Sequence, residues 1–145
     1  MNCLLVTAHP LANSQTARLA DHTEATLTGA GHCVVREDLY RGGFSAALTG
    51  AERQSYYAPA YDDSGTAAEI ARLRGAEALV LCFPTWWFGF PAQLKGWFDR
   101  VWAPGVAYDH AEGGGLIRPR LTGLRQVLAV TTLGSPWWVD RMVMR

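Results

Sequence analysis

The stretch FPTWWFGFPAQLKGWFDRVW, Phe83 to Trp102, gathers the chain's densest cluster of side chains able to bind a ligand. Trp86, Trp87 and Phe88 stand between a Pro84-Thr85 pair and the Gly-Phe-Pro that precedes a helical pattern. Indole and phenyl faces beside free backbone amides suit a flat heteroaromatic group that needs stacking and hydrogen bonds along its edge. A second stretch, TAHPLANSQT (Thr7 to Thr16), carries His9, Ser14, Gln15 and Thr16 where a strand passes into a helix. Hydroxyls and unpaired amides at a helix start make an anion site that would fit a phosphate. His9 reads equally as a donor to that phosphate or as a residue packing its own loop. A third stretch, TTLGSPWW, brings Thr131, Thr132, Leu133 and Gly134. Ring faces, edge amides and a phosphate site together describe a flavin, whose reduced ring is stabilised by amides at its pyrimidine edge.

Stepping along the chain, four β-type runs can position these loops: Cys3 to Ala8, Cys33 to Asp38, Ala78 to Phe83 and Gln126 to Thr131. Three are nearly continuous in apolar residues, which predicts a parallel sheet covered on both faces. Between the first two lies a helix capped by Asn13 or Ser14 and ended by Gly29 and Gly31, giving a βαβ unit. A second helix is expected over Ser64 to Gly75 and a third from Pro91. In the third, Leu94, Trp97, Phe98, Val101 and Trp102 follow helical spacing as a sheet-facing stripe, with Lys95, Asp99 and Arg100 opposite. All three candidate loops then leave the carboxyl ends of strands, the edge at which open α/β sheets bind ligands. The segment Ala103 to Arg125 reads as one long irregular stretch, of the kind that is functional, interfacial or mobile.

Composition narrows the alternatives. The 145 residues predict one domain, and a formal net charge of zero with no basic run argues against nucleic acid as a partner. The first residues turn polar too early for a signal peptide and no run approaches a bilayer span, so a cytoplasmic protein is expected. Cys3, Cys33 and Cys82, each in an apolar run, are expected to be buried thiols, and no metal site is expected. GAGHCV opens a strand rather than a helix and is read as a turn, not a dinucleotide fingerprint. The elbow, phosphate-loop and zinc motifs of hydrolases, kinases and zinc enzymes are missing. Asp62-Asp63 and Asp109-His110 are read as loop solvation.

The loops together resemble the flavin-dependent NAD(P)H:quinone oxidoreductases of the DT-diaphorase type. The resemblance rests on TAHPLANSQT, GHCVVREDLY, FPTWWFGFPAQLKGWFDRVW and VTTLGS, in that order over nearly the whole chain. It implies a flavodoxin-like α/β fold, a doubly wound parallel sheet with helices on both faces and a family strand order of 2-1-3-4-5. It also implies a homodimer with sites at the subunit interface, FAD or FMN as cofactor and NAD(P)H as co-substrate. Hydride would pass from NAD(P)H to the flavin and two electrons then to a quinone-type acceptor. By position, His9, Ser14, Gln15 and Thr16 fall at the flavin phosphates. Pro84, Thr85, Trp86, Trp87 and Phe88 fall at the ring, with Thr131, Thr132, Leu133 and Gly134 along its opposite edge. Trp87, Phe88 and Tyr108 fall in the substrate pocket, Tyr108 often from the partner subunit. The chain departs from the pattern at Gln15, at Leu133, and after Gly134, where a Tyr/His pair of some relatives is missing and Arg141 is the candidate cation. The resemblance also leads one to expect a sheet of order 2-1-3-4 without its fifth strand. Three other readings stay open at this point: a regulatory flavoprotein subunit of a potassium-efflux type transporter, with only indirect membrane contact, a flavodoxin-like electron carrier, and a non-functional truncated homologue.

Overall fold

The computed structural model describes residues 1–110 and 115–143. Its elements run β1 (Asn2–Thr7), α1 (Gln15–Gly29), β2 (Cys33–Asp38), α2 (Gly50–Ser55), α3 (Ala67–Arg74), β3 (Ala78–Pro84), α4 (Ala92–Val101), β4 (Tyr108–Asp109), β5 (Arg118–Pro119), β6 (Gln126–Thr132) and α5 (Trp137–Val143). Among the described residues the main sheet is four-stranded and parallel, in the order β2-β1-β3-β6. The chain moves outward from β1 to β2, then returns across β1 to β3. The carboxyl ends of β1 and β3 therefore flank the point where strand order reverses, and Ala8 N–H bonds the Cys82 carbonyl there at 3.0 Å.

Alternation along β1 sorts the core into two faces. Leu4 and Val6 join Leu79, Leu81 and Phe83 under α3 and α4, meeting Ile70, Leu73, Leu94, Trp97 and Val101. Leu5 turns the other way, with Val80, Cys82 and Ala20 of α1. Both faces of β1 and β3 are covered, as continuous apolar runs require. β6 differs: Val127 and Leu128 are 60% and 54% exposed, so the expected two-sided cover does not extend to this edge strand. Cys3 and Cys82 are buried as expected, whereas Cys33 is exposed, because it begins β2 at the other edge of the sheet.

The helices form where the sequence supplies their ends. Ser14 caps α1, its hydroxyl accepting from Ala17 N–H at 3.1 Å, and Gly31 leaves the helix at φ +80°, which makes GAGHCV a turn. α3 starts at Ala67, three residues later than the sequence suggests, and Pro91 is the cap of α4 rather than its first residue. The sequence reading passed over α2, although Thr49 and Glu52 form a capping box, with Thr49 Oγ1 accepting from Glu52 N–H and Glu52 Oε2 from Thr49 N–H.

α4 corrects one expectation outright. Trp97 is fully buried and Phe98 and Trp102 pack at the margin, but Arg100 is only 5% exposed rather than facing water. Its guanidinium donates through Nε and Nη2 to Glu52 Oε1 at 2.8 and 2.6 Å, through Nη1 to the Ser45 carbonyl, and lies over the Phe44 ring. Gly96 is required next to it, because a Cβ there would stand 2.1 Å from the Ala46 carbonyl oxygen. The segment between β2 and α2 is thus clamped onto α4 by one ion pair and one glycine. The long irregular stretch holds a small antiparallel pair, β4 with β5; its residues 111–114 lie outside the described ones.

Burial opposes ionisation of Glu52, but hydrogen bonds from Arg100 and Thr49 outweigh it and hold the carboxyl below its ordinary 4.5. A carboxylate with a depressed folded pKa stabilises the fold above the unfolded value and loses that contribution as pH falls through the folded one. Glu52→Gln should therefore lose stability at pH 7 and show a flatter decline in urea midpoint between about pH 5 and pH 2 than the parent. Arg100→Ala, which strands Glu52 in the interior, should cost about 3–5 kcal/mol in the same urea measurement at pH 7.

Candidate active site at the carboxyl edge of the sheet

Three loops meet at the switch point. After β1, Thr7 is 4% exposed and its hydroxyl has no partner. It lines a small cleft with His9, Thr16, Arg36, Asp38 and Arg41. Ser14 occupies the Ala17 amide, while Gln15 and Thr16 open α1, where amides have no intrahelical acceptor. A buried hydroxyl without a partner beside free helix-start amides is a donor set suited to a phosphate group. Thr7 does not stand out in the sequence, although it is the last residue of a strand that feeds straight into the loop before α1. His9 takes the loop-packing role in this arrangement: its Nδ1 accepts from Leu11 N–H at 3.0 Å, and its ring lies 5.9 Å from that of Trp86.

The β3–α4 loop is a tight reversal. Trp86 and Gly89 exchange backbone hydrogen bonds at 3.2 and 3.1 Å, leaving Trp87 and Phe88 as the two central residues. These adopt φ of +52° and +59°, the left-handed region that bulky L-residues avoid. Each such residue costs on the order of 1–3 kcal/mol, and such strain collects at ligand-binding positions. The turn holds the Trp87 indole 97% exposed, with Trp86 exposed and Phe88 half-buried beside it. Nothing in the WWFG spelling shows the reversal, since its two central positions lack the Gly or Asn that usually marks a turn of this kind.

Threonine hydroxyls join the third loop to the other two. Thr85 Oγ1 lies 2.7 Å from Thr131 Oγ1, and Thr85 N–H bonds the Thr132 carbonyl at 2.8 Å. Thr132 Oγ1 in turn lies 3.3 Å from Thr16 Oγ1. Pro84 pairs with Thr132 in register and is buried at the end of β3. Leu133 and Gly134 follow, both exposed, and Arg141 sits exposed in the last turn of α5. The structure thus brings the three predicted loops together at the carboxyl edge of the sheet, through Thr16 with Thr132, Thr85 with Thr131 and His9 with Trp86. Tyr108 is not among them. It lies half-buried on β4, past the other end of α4, its ring edge-on to His110 at 5.4 Å.

That far end holds a separate cavity of about 870 Å³, lined by Tyr56, Tyr57, Tyr61, Pro104, His110 and Arg118 among others. The hydroxyls of Tyr56 and Tyr61 donate to the carbonyls of Asp99 and Arg100, and burial pushes both phenols above their ordinary pKa. The pair Asp109-His110 is more than loop solvation: Asp109 pairs with Arg120, and His110 stacks on Tyr57 with ring centroids 5.1 Å apart.

A four-stranded parallel sheet, wound in both directions from its centre and with three loops meeting at its switch point, defines a doubly wound α/β protein. Residues 1–142 match the family described by its flavodoxin-like fold, and the chain belongs to it. It is 32% identical over 148 residues to NAD(P)H dehydrogenase (quinone) 1 of Rattus norvegicus, covering 91% of this chain and 53% of the relative. Over 71 residues, 48% of this chain and 34% of the relative, it is 39% identical to an FMN-dependent NADH:quinone oxidoreductase of Cereibacter sphaeroides. The solved NAD(P)H:quinone oxidoreductase of Methanothermobacter marburgensis superimposes with a TM-score of 0.86 at 29% identity, over 98% of this chain and 69% of that one. The chain spans about half the length of the curated relatives it matches. No helix among the described residues is long and apolar enough to cross a membrane.

An indole that is strained and almost wholly exposed contributes little to the fold. Trp87→Gly should therefore raise stability by about 1 kcal/mol, seen as a higher urea midpoint at unchanged slope. A lower midpoint would show that the indole packs in solution.

Proposed function

We propose that the chain forms the flavin-binding core of an NAD(P)H-dependent oxidoreductase that reduces quinone-type acceptors. The observation that carries this reading is the Trp86–Gly89 reversal, which holds two aromatic residues in a disfavoured conformation next to the loop that opens α1. The similarity to the rat NAD(P)H dehydrogenase (quinone) 1 and to the Cereibacter and Methanothermobacter quinone oxidoreductases supports it.

The assignment of residues follows the geometry. Ser14, Gln15, Thr16 and the Thr7 hydroxyl would hold the phosphate of FMN or the diphosphate of FAD, with His9 fixing the loop through the Leu11 amide. Pro84, Thr85, Trp86, Trp87 and Phe88 would bound the ring on one side, and Thr131, Thr132, Leu133 and Gly134 on the other. A bound flavin would supply two-electron hydride chemistry between a nicotinamide and a quinone-type acceptor. Trp87 and Phe88 would shield such a ring from water, while the loop amides would favour negative charge on its edge.

A homodimer completes the reading. The outer side of α4 presents Lys95 and Asp99, which pair within the chain, beside the partly exposed rings of Phe90, Phe98 and Trp102. Two such helices laid antiparallel across a two-fold axis would place Lys95 against the partner's Asp99, and Asp99 against the partner's Lys95. A surface of this kind is self-complementary, as an isologous interface must be.

Purified chain mixed with FMN or FAD and passed through gel filtration should keep a protein-shifted flavin band, and the loaded protein should consume NAD(P)H with a soluble quinone. Trp87→Ala should hold flavin about 5- to 150-fold more weakly, given about 1–3 kcal/mol for loss of a stacking aromatic. Unchanged flavin affinity and turnover in that variant would remove the ring-loop assignment.

A further inference from the structure

The three loops at the carboxyl edge of the sheet lack the charge that water-facing chain usually carries. Residues 83–93 and 131–139 contain no Asp, Glu, Lys, Arg, His or Tyr, and His9 is the one ionisable side chain in residues 7–16. Exposed large apolar side chains stand there instead: Leu11 on the first loop, Trp87 and Phe90 on the second, and Leu133, Trp137 and Trp138 on and just after the third. The Thr16–Thr132 and Thr85–Thr131 hydroxyl pairs and the His9–Trp86 contact tie these loops together. The apolar side chains therefore rim one edge of the molecule. Single exposed apolar residues are ordinary, whereas an uncharged apolar rim beside a ligand site marks a surface that meets an apolar group.

Trp137 and Trp138 extend this rim beyond the flavin loops. They are 73% and 53% exposed, so the fold does not need them for its core. Only Leu133, Gly134, Ser135 and Pro136 separate Thr132, the last residue of β6, from Trp137, the first of α5. That span reaches at most about 18 Å, and the bond from Val139 N–H to the Pro136 carbonyl at 2.9 Å turns the chain into the helix at once. A quinone whose ring stacks at the Trp87 loop must send its substituent out over the surrounding rim. A charged substituent would find no charged partner on these loops. A hydrocarbon chain would take its own apolar surface and that of the indoles out of water together.

We propose that the acceptor is a quinone carrying a long hydrocarbon chain, whose ring stacks at the Trp87 loop and whose chain lies along Leu133, Trp137 and Trp138; this deepens, and rests on, the reading of the site as a flavin-dependent quinone reductase. The redox balance is that of any quinone. NAD(P)H gives up a hydride and becomes NAD(P)+, one proton comes from water, and the hydroquinone leaves with its chain intact. The rim selects the acceptor without taking part in the chemistry. Binding energy from the chain is the same before and during electron transfer, so it lowers KM and leaves kcat to the ring.

Two benzoquinones with the same ring, one bearing a decyl chain and the other a methyl group in its place, test this on the flavin-loaded full chain, below the concentration at which the decyl compound forms micelles. Full burial of one methylene is worth about fourfold in affinity, so partial cover of the chain should make the decyl compound bind about 30-fold more tightly. Calorimetry without NAD(P)H reads that difference directly, together with a more negative heat-capacity change for the decyl compound. KM should fall by the same factor at unchanged kcat. A chain carrying both Trp137→Ser and Trp138→Ser should keep its flavin and reduce the methyl compound at the parent rate, while the decyl advantage shrinks to about threefold. Equal affinity of the parent for the two quinones, or an undiminished decyl advantage in the double variant, overturns the proposal and leaves the quinone-reductase reading standing. A parent protein that holds no flavin, or holds it and reduces neither quinone with NAD(P)H, overturns that reading, and the proposal with it.

Discussion

One buried carboxylate fixes the geometry on which the site depends. Glu37, on edge strand β2, accepts from Trp97 Nε1 of α4 at 2.7 Å through one oxygen and from Arg72 Nε of α3 at 2.7 Å through the other. It lies across the sheet face from which Leu4, Leu79 and Trp97 build the larger core. Burying an unpaired carboxylate is costly, so the helices are held where both oxygens are met. With Trp97 anchored, α4 cannot slide along the sheet without breaking that bond. Its amino end, and the strained reversal that precedes it, are therefore delivered to one position beside β1.

The Glu52–Arg100 pair extends the same logic outward. It fastens the excursion between β2 and α3 onto the flank of α4 that carries Gly96 and Arg100, and Gly96 lets that segment approach within backbone contact of the helix. α4 is thus gripped from both sides, by the sheet through Glu37 and by the excursion through Arg100. A ligand crevice built on one end of this helix and an aromatic cavity built on the other share a rigid spacer.

Much of this was legible in the sequence for identifiable reasons. β1 and β3 carry unbroken apolar runs that only a doubly covered strand can hide, and Ser14 and Gly31 mark the ends of α1 with cap chemistry. The Thr, Trp and Phe residues of the crevice follow strand ends, which places them at one edge before any contact is known. What was not legible depends on partners far away in the chain. Arg100 reads as a solvent residue until Glu52, 48 positions earlier, is folded against it. Cys33 sits in an apolar run yet is exposed, because edge position is decided by strand order rather than composition. The left-handed pair Trp87-Phe88 carries no turn signal, since the surrounding fold imposes a conformation that local preference opposes. The place of Tyr108 follows from the length of α4, which separates it from the crevice in its own chain.

The threonines that join the three loops have one further property. In both hydroxyl pairs, Thr16 with Thr132 and Thr85 with Thr131, either oxygen can be the donor. A hydroxyl hydrogen rotates freely, so each pair can present a lone pair or an O–H to the crevice with no heavy atom moving. Such a lining has reversible polarity. It can meet a ligand edge as an acceptor at one moment and as a donor the next, which suits a bound group that gains and sheds a hydrogen in every cycle and must be held equally well in both forms.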